Sequence, residues 1–183
     1  MTPPADSLGA IVLNDVATTF RKLKDLAERA MAQADDADFF RTLDAESNSI
    51  AVIAKHVGGN LRSRWTDFLT TDGEKPDRDR DSEFVVPGTT TRADVMATWE
   101  AGWSALFATL ASLDVQSLTA TISIRAESMT AVEAMQRGIA HISQHVGQIV
   151  LLAKHYRSSE WKTLSIPRGR SAEYLQTASP TAR

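Results

Sequence analysis

The chain has 183 residues, 43% of them hydrophobic and 23% charged, which fits one ordinary globular domain long enough to bury a full core. A net charge of −3 offers no basic field for phosphate backbones, so nucleic acid is not an expected partner. With no cysteine, the chain has no disulfide, thiolate metal site or cysteine nucleophile of its own; any metal must use His, Asp, Glu or water.

A short leader with Pro3 and Pro4 precedes the first predicted helix, residues 6–33, where Leu8, Ile11, Val12, Val16, Phe20, Leu23, Leu26 and Ala30 recur at three- and four-residue steps. An acidic connector, 34–46, follows, with room for a helical turn at Phe39-Phe40. The second predicted helix, 47–70, carries Ile50, Ile53, Val57, Leu61, Trp65 and Phe68 on one stripe, with His56 beside it. Its Gly58-Gly59 pair costs about 1 kcal/mol per glycine relative to alanine. Either a backbone or ligand approaches closely there, or the helix kinks.

Residues 71–90 read as a long loop whose centre, Asp72 to Glu83, mixes acidic and basic residues. Such a segment is either solvated and salt-bridged, or pinned over a pocket mouth by Phe84, Val85 and Val86. In the second case an arginine, with Arg80 the candidate, receives an acidic substrate group. The third predicted helix, 91–113, opens with a Thr91/Asp94 capping box and carries Val95, Trp99, Trp103, Leu106 and Leu110 inward. The two tryptophans read as core fillers rather than a ligand cage, with a dimer interface as a further alternative. Leu118 to Ile124 alternates apolar and polar, which predicts a short strand or hairpin. Thr130 and Glu133 form a second capping box opening the fourth helix, which runs to about Tyr156. Beyond it, Trp161, Leu164 and Ile166 are expected to pack on the helices and the last ten residues to be loose. No apolar run is long enough to span a bilayer, so no membrane partner is expected and a cytoplasmic location is the default.

The pattern predicts an all-α fold, a four-helix bundle in one domain, with the bundle over residues 6–157 and a C-terminal extension over 158–183. The long connection after the second helix favours a crossover, because short loops join antiparallel neighbours.

Two of the four histidines, His141 and His145, stand four residues apart in the fourth helix. That spacing puts both imidazoles on one face, close enough to share an ion with nitrogen bonds of about 2.0 to 2.1 Å. Ile142 stands where a zinc-protease helix needs Glu, which excludes that chemistry. His56 lies at a height in the second helix that meets the pair whichever way the two helices run. Three protein ligands with open positions suit catalytic rather than structural zinc. Such an ion acidifies a bound water or holds a thiolate. His155 lies about 15 Å further along the axis and is excluded. The absence of a Glu-x-x-His motif argues against a di-iron bundle. Hydrogen-bonded core histidines without metal are the competing account. Asn60, Gln144 and Gln148 are the polar residues near these faces.

The residues Ile53-Ala-Lys-His56 and His141-Ile-Ser-Gln-His145-Val-Gly147-Gln148-Ile149 resemble the DinB/YfiT-like superfamily of four-helix bundles over roughly residues 8–157. The run Asn60-Leu-Arg-Ser-Arg-Trp65 through Asp72-Gly-Glu-Lys-Pro76 to Arg80-Asp-Ser-Glu-Phe84 looks like an uncharacterised bacterial subfamily within it. The resemblance implies an up-down-down-up bundle, often a homodimer, in which His56, His141 and His145 hold a divalent metal such as zinc or nickel. It also implies a small-molecule substrate: relatives include thiol-dependent S-transferases using bacillithiol or mycothiol, a maleylpyruvate isomerase and metal-dependent hydrolases. A low-molecular-weight thiol is then a cosubstrate, with Asn60, Gln148 and Arg80 as candidate contacts to it or to the substrate. The charged loop and the Ile166-Pro-Arg-Gly-Arg170 segment depart from the family pattern. A non-catalytic stress or small-molecule-binding protein with a vestigial or structural metal site is the alternative.

Overall fold

A computed structural model describes residues 7–173. The expectations for the leader, for Asp6 and for the last ten residues fall outside that range. Four long helices dominate: α1 (Leu8–Met31), α3 (Ile50–Trp65), α4 (Arg92–Ser112) and α5 (Ala131–Arg157). A short helix, α2 (Asp36–Phe40), fills the first connector, and an antiparallel hairpin of β1 (Thr121–Ile124) and β2 (Glu127–Thr130) precedes α5.

Side-chain caps set the helix starts. The Ser7 hydroxyl accepts from the Ala10 amide and the Ser49 hydroxyl from the Val52 amide, satisfying N–H groups that have no partner within the helix. Thr91 with Asp94, and Thr130 with Glu133, close the two capping boxes expected from the sequence. The second predicted helix is shorter than its apolar stripe. Thr66 turns to extended geometry (ψ 130°) and Asp67 takes a left-handed conformation (φ 48°), so the chain leaves the helix after Trp65. Phe68 still reaches the core, stacking on Trp65 at 4.9 Å between centroids.

The contacts fix how neighbouring helices run. Gly58 on α3 lies against the backbone of Thr98 and Gly102 on α4, and the Trp65 carbonyl accepts from the Thr109 hydroxyl further along, so α3 and α4 are parallel. Phe20 meets Gly138 near mid-helix, and Gln33 bonds the backbone of Lys162 beyond the end of α5, so α1 and α5 are parallel as well. Each pair runs against the other: the Trp99 indole N–H donates to Glu28, and Arg92 donates to the Met31 carbonyl. Parallel neighbours cannot be joined by a tight turn. The 16-residue α3 is about 24 Å long, and residues 66–91 carry the chain back over that distance across the mouth of the site.

Phe20, Trp65, Trp99 and Trp103 form the centre of the core. Trp99 and Trp103 are fully enclosed, so the alternative of an intermolecular interface through them is overturned. Leu8 and Ile11 depart from the predicted α1 stripe at 77% and 55% exposure, because the first turn meets the body through Gly9, against Val115 and Leu118. Trp161 and Leu164 pack on the helices as expected, whereas Ile166 is exposed. No helix among the described residues is long and apolar enough to cross a membrane.

Candidate metal centre

The three histidines singled out by spacing come together. His56 projects from α3, and His141 and His145 project from α5 one helical turn apart. The Nε2 atoms of His56 and His145 lie 3.4 Å and 3.2 Å from His141 Nε2. Two imidazole nitrogens on one tetrahedral ion with bonds of 2.0 to 2.1 Å stand about 3.3 Å apart, so the spacing fits a shared ion. His155 is exposed on the far reach of α5 and takes no part.

The outer nitrogens decide which way the lone pairs point. His56 Nδ1 lies 2.8 Å from Glu83 Oε2, and because a carboxylate only accepts, that nitrogen carries a proton and Nε2 is the ring nitrogen turned toward the other histidines. His145 Nδ1 lies 2.9 Å from Gln148 Oε1, with the same consequence. Both Nε2 atoms face His141 Nε2, which carries at most one hydrogen and cannot donate to both. Three imidazole nitrogens converging on one point are poorly matched to each other and well matched to a cation. Burial, then the neighbouring His145 and His56, pushes the His141 imidazole down to about 4. Burial also lowers His145, against an opposing hydrogen bond to Gln148. Both rings are neutral near pH 7, the form that binds metal.

Glu83 was not among the sequence candidates, and it organises the site from the loop. It is buried, with Oε1 and Oε2 accepting from Arg78 Nε and Nη2 at 2.8 Å each while Oε2 receives His56. Burial acts to raise its carboxyl, and the hydrogen bonds from His56 and Arg78 outweigh that and hold it below the usual carboxylate range. The Gly58-Gly59 pair was the available signal. A Cβ on Gly59 would strike the Glu83 carboxylate, and one on Gly58 would strike the Thr98 carbonyl, so close approach rather than a kink accounts for both.

The loop is salt-bridged inward through Arg78, Glu74 and Glu83, while Asp77, Asp79, Arg80 and Asp81 stay exposed. Arg78, its side chain 4% exposed, lies between Glu74 and Glu83. Phe84 packs against His56 with centroids 4.8 Å apart, and Val86 also packs on the core. Val85 does not pin the loop: it is 60% exposed, since the extended backbone after the turn at Asp81–Phe84 points it outward. Asn60 and Arg80 line a cavity of about 180 Å³ that opens from His56 and His141. Gln148 reaches the site only through His145, and Gln144 is exposed and bonds neither histidine.

The family model described as "Protein of unknown function (DUF1572)" matches residues 7–170. The chain belongs to the DUF1572 family. Comparison with curated proteins gives no match, and neither does comparison with solved structures. The DUF1572 match takes in both halves of the histidine cluster, from His56 and Glu83 to His145 and Gln148.

Proposed function

We propose that this protein is a divalent-metal-dependent enzyme of the DinB-like type, an up-down-down-up four-helix bundle in which His56, His141 and His145 are ligands to one zinc or nickel ion. It acts on a small-molecule substrate as a thiol-dependent S-transferase or a hydrolase. The observation that carries this reading is the convergence of three imidazole nitrogens, with His56 and His145 Nε2 at 3.4 Å and 3.2 Å from His141 Nε2 and each outer ring held by a partner on its far nitrogen. When bound, an ion with three protein ligands supplies Lewis acidity at the positions left open.

The chain's own groups do the rest. Glu83 holds the His56 Nδ1 proton and orients the ring, and Gln148 does so for His145. Leu61, Trp65 and Phe68 give the adjoining cavity an apolar wall that limits water. Asn60 contributes a side-chain amide one helical turn from His56. Since the sequence contains no cysteine, a transferred thiol must come from a cosubstrate.

Metal analysis tests the reading. Wild-type protein repleted with zinc or nickel and then desalted should keep about one ion per chain. His141→Ala should keep far less while retaining its helical circular dichroism. Wild type that emerges without stoichiometric metal overturns the proposal. Thiol consumption by the loaded protein with an electrophile, against ester cleavage without thiol, then separates transfer from hydrolysis.

A further inference from the structure

The cavity that opens from His56 and His141 carries an unusual charge. Five arginines line it, Arg64, Arg78, Arg80, Arg125 and Arg137, and no carboxylate does. Their hydrogen-bonded acidic partners are three glutamates lying behind or beside the wall: Glu74 takes Arg64, Arg78 and Arg125, Glu83 takes Arg78, and Glu127 takes Arg137. Donors are left over. Arg64 Nη1 is enclosed and has no hydrogen-bond partner among the described residues. Among the described residues Arg80 pairs only with the exposed Asp81 at 3.9 Å, and its guanidinium lies over the Phe84 ring.

The cavity is also a ruler. His56, Asn60 and Arg64 follow one another at four-residue steps on α3, so Arg64 stands about 12 Å along the axis from His56. On the oppositely directed α5, Arg137 stands about 6 Å from His141 toward the same end. Leu61, Trp65, Phe68 and Ala134 add apolar surface to the same wall. A volume of about 180 Å³ is slightly larger than the 150 Å³ cavity that accepts benzene.

We propose that this cavity receives a small anionic substrate: a carboxylate or phosphate group on an apolar body about the size of one ring, its oxyanion held by guanidinium groups of the wall, Arg80 and Arg137 among them, and its far end lying at His56 and His141. The proposal names the substrate class for the metal-dependent reading and rests on it for the reaction, though the arginine end binds without the ion. Guanidinium groups suit planar oxyanions because they donate in pairs. A cationic substrate meets five like charges and no acceptor carboxylate on the cavity wall.

Isothermal titration of the full chain in roughly 0.15 M salt, both chelator-treated and zinc-loaded, tests this with phenylphosphate, phenylacetate and the neutral phenylacetamide. At least one anion should bind about tenfold or more tighter than the amide in both preparations, and the tighter anion assigns phosphate or carboxylate. Arg80→Gln and Arg137→Gln, both at half-exposed positions that leave the core intact, should each weaken the anion several-fold without changing zinc stoichiometry. Binding no better than the amide, unchanged affinity in both variants, or anion binding seen only with zinc overturns the proposal. Anion binding that persists in protein unable to take up zinc supports the arginine site and removes the metal-dependent reading instead.

Discussion

Glu83 joins the loop to the site with a single carboxylate that touches His56, Arg78 and the surface of Gly59. An imidazole whose outer N–H is held by a charged acceptor is a better ligand, and loss of such a partner typically costs 10- to 100-fold in metal affinity. Glu83→Gln keeps the shape and removes the charge. Zinc affinity measured by competition with a chromophoric chelator should therefore fall by about one to two orders of magnitude, with the helical signal preserved; unchanged affinity would reduce Glu83 to a packing role. The three histidines were legible because the i,i+4 spacing and the position of His56 are local facts. Glu83 was not, because 27 residues separate it from His56 and the charged loop around it has no period to read.

At the scale of elements, the hairpin before α5 turns without glycine. Arg125 and Ala126 both adopt left-handed backbone, φ 57° and 60°, a pair of conformations that favours Asn-Gly. Asp72, far off in the loop, compensates: it accepts from the Ser123 hydroxyl and from the amides of Arg125, Ala126 and Glu74, at 2.6 to 2.9 Å. Those bonds, led by Ser123, hold its carboxyl far below the usual carboxylate range. A carboxylate depressed in the folded state contributes stability above its unfolded pKa of about 3.9 and loses it as the pH falls below that value. Chemical denaturation should show wild type losing stability from about pH 5 to pH 3 more steeply than Asp72→Asn, which is less stable at neutral pH and flatter in acid. Equal slopes would remove Asp72 as the clasp. The strands were legible from their alternation, whereas the turn was not, since its stabilising partner lies more than fifty residues away.

The molecule as a whole depends on α3 and α4 touching backbone to backbone. Gly58 and Gly102 face each other so closely that a Cβ on either would strike the other helix, while Gly147 on α5 has open space around it. Alanine should therefore act with opposite signs. Gly58→Ala should destabilise by about 1 to 3 kcal/mol through overpacking, and Gly147→Ala should stabilise by up to about 1 kcal/mol through helix propensity, both read from urea midpoints. Loss at Gly147 equal to that at Gly58 would contradict the parallel contact. Helix count and capping were legible in the apolar period and the Thr-x-x-Asp/Glu signals, and the long connection foretold a crossover. Gly102 went unmarked because one glycine in a predicted helix does not say which surface it serves. The two halves of the histidine cluster are 85 residues apart in the chain, on α3 and α5. During synthesis, every residue up to the start of α5 is made while only His56 of the three exists. On the proposed reading, the three-ligand site is therefore incomplete until α5 has been made.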